Sequence, residues 1–460
     1  MSKIVGRFAP SPTGLLHLGG ARTALFSWLH SKSLEGDCLL RLEDTDQERS
    51  KQKYTDSIIE SFRWMGIEFD QEPFYQSKNK EIHLNRVQEL VNNGKAYYCQ
   101  CSTERLKQLR EHQEKEGKKP KYDGKCRDLN IKDSKDAVIR FKNPDTGLVS
   151  FQDVVRGKIE VANKELDDLI LVRSDGTPTY NLCVVVDDID MGISHVIRGD
   201  DHINNTFRQI NIFKALDEEV PVYGHVPMIL GEDGKRMSKR HGAINVLDYK
   251  DLGILPEALL NYIVRLGWSY GDQEIFNLEE LTKIFKEGKL NNSPASFSME
   301  KLLWFNREYF LKIDNQLLLE KLIPISKQFI QNDYSLRVVS LIKERCSLLS
   351  EFEEEGSYFY QESLNINPKD SDKTFHQDAI EILNMLLKAF IEIKEWDLKN
   401  IKQTISSIMD HKGVGMPAVG KPFRLAITGR TNSASIDETA LILGKEKVVK
   451  RLKQAIELYS

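Results

Sequence analysis

The chain lacks any long apolar run. No stretch reaches the ~18–20 apolar residues that a membrane-spanning helix needs, and the first residues carry no signal-peptide pattern. Cysteine is scarce, with six in 460 residues, so a disulfide scaffold is excluded and a reducing cytoplasm is the expected setting. An excess of positive charge is also missing. The net charge of −4 argues against wholesale basic binding of nucleic acid, although one positive face would suffice for a phosphate footprint. Internal repeats and low-complexity segments are absent. So is either usual phosphate-loop spelling: the first turn has no glycine-lysine-serine/threonine ending and no spaced glycine triplet. What remains is 40% hydrophobic and 29% charged, the composition of a water-soluble globular protein. Its length suggests roughly three or four domains.

Hydrophobic patterning divides the chain. From 3 to 98 short apolar strands alternate with helical periods, as in an α/β domain. Ile4–Phe8 and Cys38–Leu42 read as strands. Between them Leu18, Ala21, Leu25, Trp28 and Leu29 keep helical spacing and predict an amphipathic helix; another is predicted from about Asp56 to Met65. Residues 99–172 change character. A cysteine pair and a charged helix over 102–116 precede the β-rich "AVIRFKNPDTGLVSFQDVVRGKIEV" with its Pro-Asp-Thr-Gly turn, which reads as an inserted domain. The α/β pattern resumes with "TPTYNLCVVVDDIDMGISHVIRG" and continues to 243. From "LPEALLNYIVRLGWS" onward the chain is mainly helical, ending in a helix that carries Val448, Val449, Leu452, Ala455, Ile456 and Tyr459.

The segment "RFAPSPTGLLHLGG" (7–20) joins the first strand to the first helix. An open α/β sheet binds ligands at the carboxyl ends of its strands, and a helix start there offers unpaired N–H groups and a positive dipole end to phosphate. Gly19 and Gly20 lack Cβ atoms, so a nucleotide could approach the backbone, and His17 could donate to a phosphate oxygen. The plain alternative is that His17 merely starts the helix. A second feature bears on the choice. "MILGEDGKRMSKRHGA" sets Lys235, Arg236, Ser238, Lys239 and Arg240 after a glycine-bounded turn. Four basic residues in six could be a solvated loop; placed between apolar segments, they could instead close over a polyphosphate. Lys239 would then stabilise charge on the transferring phosphate.

"HLGG" followed by "RMSKR" resembles the paired signatures of class I aminoacyl-tRNA synthetases. "RFAPSPTG", "LRLEDTD", "DGTPTYN" and "VIRGDDH" narrow the resemblance to the bacterial glutamyl type, over essentially the whole chain. The resemblance implies a Rossmann-type α/β catalytic domain over 1–98 and 173–243 and an inserted α/β domain over 99–172 that binds the tRNA acceptor end. A stem-contacting domain over 244–310 and a helical anticodon-binding region over 311–460, divisible near 370, would follow. It implies ATP binding by His17, Gly19, Gly20, Arg236, Ser238 and Lys239, with His17 and Lys239 as the catalytic pair and Mg²⁺ as the accompanying ion. It assigns Glu43 to the substrate α-amino group, Arg7 and Ser11 to the amino acid, and Tyr180 to its pocket.

Read blind, Glu43-Asp44-Thr45-Asp46 would be a turn or helix cap, or closely spaced carboxylates for magnesium. Arg198 follows a strand that looks buried, where an unpaired guanidinium is costly. A salt bridge to Asp200 or Asp201 is one outcome. A ligand carboxylate is the other, since guanidinium suits a planar anion. In the related glutaminyl enzymes the matching position is uncharged, so Arg198 favours glutamate over glutamine.

Cys99, Cys101 and Cys126 are three thiols that a tetrahedral zinc could collect. Some relatives complete such a set with histidine, where this chain has Asp128. Asp128 or Tyr122 could serve as fourth ligand, or the metal be absent. Cys38, Cys183 and Cys346 read as core residues. By the resemblance "VGMPAVGKPFRLAITG" belongs to the anticodon domain and Arg424 is an anticodon contact, the alternative being a surface arginine. Lys445, Lys447, Lys450, Arg451 and Lys453 on the last helix read as a phosphate track or a solvated face.

The expected reaction is attack of the glutamate α-carboxylate on the α-phosphate of ATP, then transfer of the glutamyl group to the terminal tRNA ribose. L-glutamate, ATP and tRNA(Glu) are the expected partners of a monomer. The rivals are a glutaminyl enzyme, a shortened paralogue lacking the anticodon domain, and a non-catalytic tRNA-binding derivative. Arg198, the chain length and the intact His17 and Lys239 argue against them in turn.

Overall fold

The computed structural model describes residues 3–45, 50–132, 136–237 and 245–459. The chain forms two compact units, Met1–Lys250 with Pro256–Met299, and Asp251–Leu255 with Glu300–Ser460. Strands of the first unit that concern the site are β1 (Val5–Phe8), β2 (Asp37–Leu42), β3 (Phe74–Tyr75), β4 (Ala96–Cys99), β5 (Val138–Phe141), β6 (Leu148–Asp153), β7 (Gly157–Ala162), β8 (Ile170–Val172), β9 (His195–Gly199) and β10 (Val222–Val226). Its helices include α1 (Leu18–Ser33), α2 (Gln52–Met65), α3 (Lys80–Asn92), α4 (Thr103–Lys115), α5 (Tyr180–Asp190) and α6 (Ile203–Ala215).

Seven strands make the main sheet in the order β3-β2-β1-β9-β10-β6-β7. β1 runs parallel to β2 from Val5↔Asp37 to Phe8↔Leu40, and β9 runs parallel to β10 from Val222↔His195 to Val226↔Gly199. The chain therefore builds outward from β1 in one direction and returns to lay β9 on its other side. That reversal is the switch point at which doubly wound sheets bind ligands.

The β-rich half of the expected insertion divides in two. The β6–β7 hairpin, antiparallel from Leu148↔Ala162 to Asp153↔Gly157, joins the main sheet where Asp153 pairs with Tyr223 of β10. The separate antiparallel sheet β4-β5-β8 shares one core with helices of the α/β layer, in which Val87, Leu90, Phe141, Leu171, Leu182, Val185 and Ile212 pack together. A common core explains why composition alone suggested a cleaner boundary than the packing contains.

α1 departs from the amphipathic expectation. Leu18, Ala21, Leu25, Trp28 and Leu29 are buried as predicted, but so are Arg22, Ser27, Ser31 and Ser33. The helix is covered by the sheet on one side and by Pro256–Arg265 and Leu278–Ile284 on another. Its polar residues bond internally: Ser27 donates to Arg7 O at 2.9 Å and Ser31 to Ser27 O at 2.9 Å. Gly6 permits this close seat, since a Cβ there would meet Ser31 Oγ at 2.1 Å.

In the second unit the described residues form helices without strands. Three basic side chains of its last helix, Lys445–Tyr459, do something neither sequence reading proposed, whereas Lys450 and Lys453 are exposed as the solvated-face reading has it. Arg451 is buried and donates to the carbonyls of Ile427, Tyr358 and Gln361. Lys445 bonds the carbonyls of Ile391 and Ile393, and Lys447 that of Phe359. They close helix C-termini, where the last carbonyls lack partners.

Candidate active site

One cleft of about 1230 Å³ opens at the carboxyl ends of β1 and β9. Arg7, Ser11, His17, Gly19, Gly20, Glu43, Tyr180, Arg198 and Arg236 all line it, residues spread over some 230 positions of sequence. Ser238 and Lys239, the other residues expected here, lie outside the described residues, as does Asp46.

His17 is the N-cap of α1, with extended backbone, and its Nδ1 accepts from the Gly20 N–H at 3.2 Å. The plain reading is thus correct as far as it goes. It also fixes the tautomer: with Nδ1 accepting, the proton of the neutral ring sits on Nε2, which keeps a donor for a ligand. Burial among the cleft walls, with a smaller contribution from Arg236, holds the imidazole below its ordinary pKa, so the ring is neutral at pH 7. Gly19 makes room for the cap, because a Cβ there would stand 3.2 Å from the His17 ring. Arg236 arrives on a tight turn in which Gly231 N–H bonds Lys235 O and Met237 N–H bonds Ile229 O.

On the other wall the charged residues pair in a buried quartet. Asp188 of α5 accepts from Arg7 Nε at 3.2 Å and from Arg41 Nη1 at 2.6 Å, and Arg41 Nη2 reaches Glu43 Oε1 at 3.3 Å. Burial pushes the Glu43 carboxyl up, opposed by Arg41 and Arg7. Burial acts likewise on Asp188, but the two arginines outweigh it and hold the carboxyl below its usual range. Sequence reasoning missed Arg41 and Asp188. The available signals were the i, i+2 spacing of Arg41 and Glu43 at the end of a strand and the charged pair inside apolar "VVVDDI". Asp44 instead ties down a segment 33 residues away, accepting from Ser77 N at 2.8 Å and Ser77 Oγ at 2.7 Å.

Arg198 is buried, and the salt bridge weighed for it is not formed: Asp200 pairs with Arg156 at 2.6 Å instead. Its partners are neutral. Nε donates to His225 Nε2 at 3.3 Å, and Nη2 donates to Thr206 Oγ1 at 2.6 Å and Gln209 Oε1 at 2.8 Å. Nη1 is buried without a partner among the described residues. Tyr180, at the first turn of α5, contacts His202 Nδ1 through its hydroxyl at 3.0 Å. Burial, then Arg198, lowers the His202 imidazole to about 4.

Away from the cleft, the Sγ atoms of Cys99, Cys101 and Cys126 lie within 4.8 Å of one another. Tyr122 Oη stands 3.4 Å from Cys99 Sγ and 3.5 Å from Cys101 Sγ. Asp128 is outside this group, exposed and paired with Lys142 at 3.1 Å. Cys38, Cys183 and Cys346 are buried as expected. In the second unit Arg424 is half-buried, with a buried Nε that has no partner among the described residues. No helix among them is long and apolar enough to cross a membrane.

Residues 3–304 match the family described as class I tRNA synthetases (E and Q), catalytic domain, and 317–456 match an anticodon binding domain. The glutamate–tRNA ligase of Francisella tularensis subsp. novicida is 48% identical over 99% of both chains. That of Legionella pneumophila is 49% identical over 98% of this chain and 97% of its own. The crystal structure of a glutamate tRNA ligase from Elizabethkingia meningosepticum in complex with its amino acid superposes with a TM-score of 0.90, at 29% identity and full coverage of both chains.

Proposed function

The chain belongs to the class I tRNA synthetases of the glutamate and glutamine type, and on that premise we propose that it ligates L-glutamate to the 3′ end of tRNA(Glu) through a glutamyl-adenylate. The observation that carries the choice of glutamate is Arg198. A buried guanidinium whose partners among the described residues are all neutral, with Nη1 unpaired among them in a cleft wall, has an unmatched charge that a substrate γ-carboxylate would complete. Glutamine, offering an amide, would leave that charge buried and unpaired, which is the kind of mismatch that discriminates strongly.

Arg7, Ser11, Glu43 and Tyr180 would surround the amino acid's α-end, Glu43 accepting from the ammonium. ATP would lie along the start of α1, its phosphates facing the His17 Nε2–H and Arg236, with Ser238 and Lys239 closing from the basic loop. The α-carboxylate then displaces pyrophosphate in line. No protein nucleophile takes part; catalysis is positioning plus neutralisation of growing charge. Magnesium would enter with the nucleotide, held chiefly by its phosphates. In the second step the tRNA ribose hydroxyl attacks the acyl carbon and takes the glutamyl group, the acyl–phosphate bond breaking to release AMP.

Cys99, Cys101, Cys126 and the Tyr122 hydroxyl would hold a structural zinc, the three clustered thiols being a donor set suited to it. Arg424 would contact an anticodon base. The protein would work in the cytoplasm as a monomer. ATP–pyrophosphate exchange in the presence of tRNA(Glu) tests the central reading: exchange should require glutamate, and equal exchange with glutamine would refute it.

A further inference from the structure

We infer that Asp153 and His225, neither of which lines the cleft, are positioning residues that hold Arg198 in register for the substrate side chain by fixing the tautomer of His225. The inference rests on the assignment of Arg198 to that side chain.

Four residues from three elements meet behind the cleft wall. Asp153 ends β6, His225 lies on β10, and Thr206 and Gln209 lie on α6; all are buried. Asp153 Oδ2 is 2.6 Å from His225 Nδ1, and His225 Nε2 faces Arg198 Nε at 3.3 Å. A carboxylate can only accept at Nδ1, so that nitrogen carries the ring proton and Nε2 presents its lone pair to Arg198 Nε and to the Thr206 hydroxyl, whose Oγ1 lies 2.9 Å away. Guanidinium has five N–H bonds. Those on Nε and Nη2 are directed at His225, Thr206 and Gln209, and only the two on Nη1 remain unpaired among the described residues. The acceptor cage thus leaves one edge of the arginine for a ligand.

In the opposite His225 tautomer an Nε2–H would turn to Thr206 Oγ1, 2.9 Å away, and the Arg198 Nε–H would lose its acceptor in a buried space. Asp153 is what excludes it. Its other oxygen, Oδ1, accepts from the backbone N–H groups of Val155 and Arg156 at 2.9 Å each, and from His225 N at 3.2 Å. Asp153 is therefore rigidly held, and held ionised: burial raises its carboxyl, but the bond to His225 and those backbone donors outweigh burial. Its position also ties the substrate pocket to the β6–β7 edge hairpin.

The substitution Asp153→Asn separates the two jobs. The amide oxygen keeps the backbone bonds of the turn, whereas the amide nitrogen donates to Nδ1 and forces the wrong tautomer. In aminoacylation by the full chain with saturating ATP and tRNA(Glu), the KM for glutamate should rise at least 10-fold. The KM for ATP and kcat at saturating glutamate should stay within about twofold. His225→Gln supplies an acceptor that does not depend on Asp153, so glutamate KM should stay within about threefold of wild type. The double variant should match His225→Gln, even if Asp153→Asn alone does not fold.

Unchanged glutamate KM in Asp153→Asn would overturn the inference. So would a double variant as impaired as Asp153→Asn, because Asp153 would then act by another route. Arg198→Lys, assayed in parallel, separates this from the reading beneath it. If that substitution leaves glutamate KM unaltered, the glutamate assignment itself fails; if it raises KM while Asp153→Asn does not, only the positioning role falls.

Discussion

Arg41 Nη1 lies 2.6 Å from Asp188 Oδ1, and both side chains are closed to water. Because Arg7 shares that same oxygen, Asp188 balances two cations at once. Replacing it by Asn leaves two guanidinium groups with Glu43 as the nearest carboxylate. Breaking a buried pair from one side costs about 3–5 kcal/mol. Asp188→Asn should lower the thermal transition of the full chain accordingly and raise the KM for glutamate, as Arg7 turns toward Glu43. A variant within about 1 kcal/mol of wild type would show that the quartet is not a structural unit.

His17 performs two functions that substitution can separate. Asn caps helices well, so His17→Asn should preserve stability to within about 0.5 kcal/mol. It removes the Nε2–H donor, so adenylate formation should fall on the order of 100-fold, the usual consequence of losing one preorganised donor. His17→Ala should lose the same activity and a further ~1 kcal/mol of stability. Equal stability of both variants would mean that the cap contributes nothing.

What could be read from sequence followed from local rules. The α1 spacing, the glycine-bounded turn and the segments quoted around His17, Glu43 and Arg198 identify the first unit's layout because each involves neighbours in the chain. Asp153, Asp188 and His225 escaped because their meaning depends on partners far away in sequence: Asp153 and His225 are 72 residues apart, Arg41 and Asp188 147. Arg198 was legible as a buried charge, but the absence of a carboxylate partner among the described residues emerges only from the fold. On the last helix, charge periodicity could not distinguish solvated lysines from those capping helices elsewhere in the fold.

Acid should destabilise the protein in a defined window. Burial, helped by the neighbouring His195, lowers His30 to about 4, whereas the unfolded chain protonates near ~6.5. Above that value neither state carries the proton, and His30 contributes no slope. As pH falls through it the unfolded state binds the proton first, so stability drops by up to about 1.4 kcal/mol per pH unit until about pH 4. His202 adds a similar slope. Urea titrations across this range should show the decline, and His30→Phe should flatten it by about half of the two-histidine effect. An unchanged slope in that variant would locate the acid sensitivity elsewhere.

The cysteine cluster predicts a specific pattern of metal retention. Elemental analysis of the purified protein should find about one zinc per chain. Cys99→Ser should lose it, Tyr122→Phe should weaken retention against a chelator, and Asp128→Ala should retain it because Asp128 is bound to Lys142 at the surface. Zinc lost from Asp128→Ala but kept by Tyr122→Phe would reverse the assignment of the fourth ligand.

Arg451 supplies the strongest stability prediction for the second unit. Its guanidinium bonds three carbonyls at helix ends, and burial lowers it to about 10. Arg451→Met would leave those carbonyls buried without donors, at about 2–4 kcal/mol in total, because an orphaned buried acceptor costs its desolvation while only part of the arginine's own burial cost is recovered. Lys450→Met is the matched control: Lys450 makes an exposed pair with Glu362 at 3.3 Å, a contact of little net value. Denaturant unfolding followed by fluorescence of Trp396, with the other four tryptophans replaced by Phe, should therefore shift for Arg451→Met and not for Lys450→Met. If both shifted equally, the helix would be held by its general positive charge and the carbonyl clasp would be incidental.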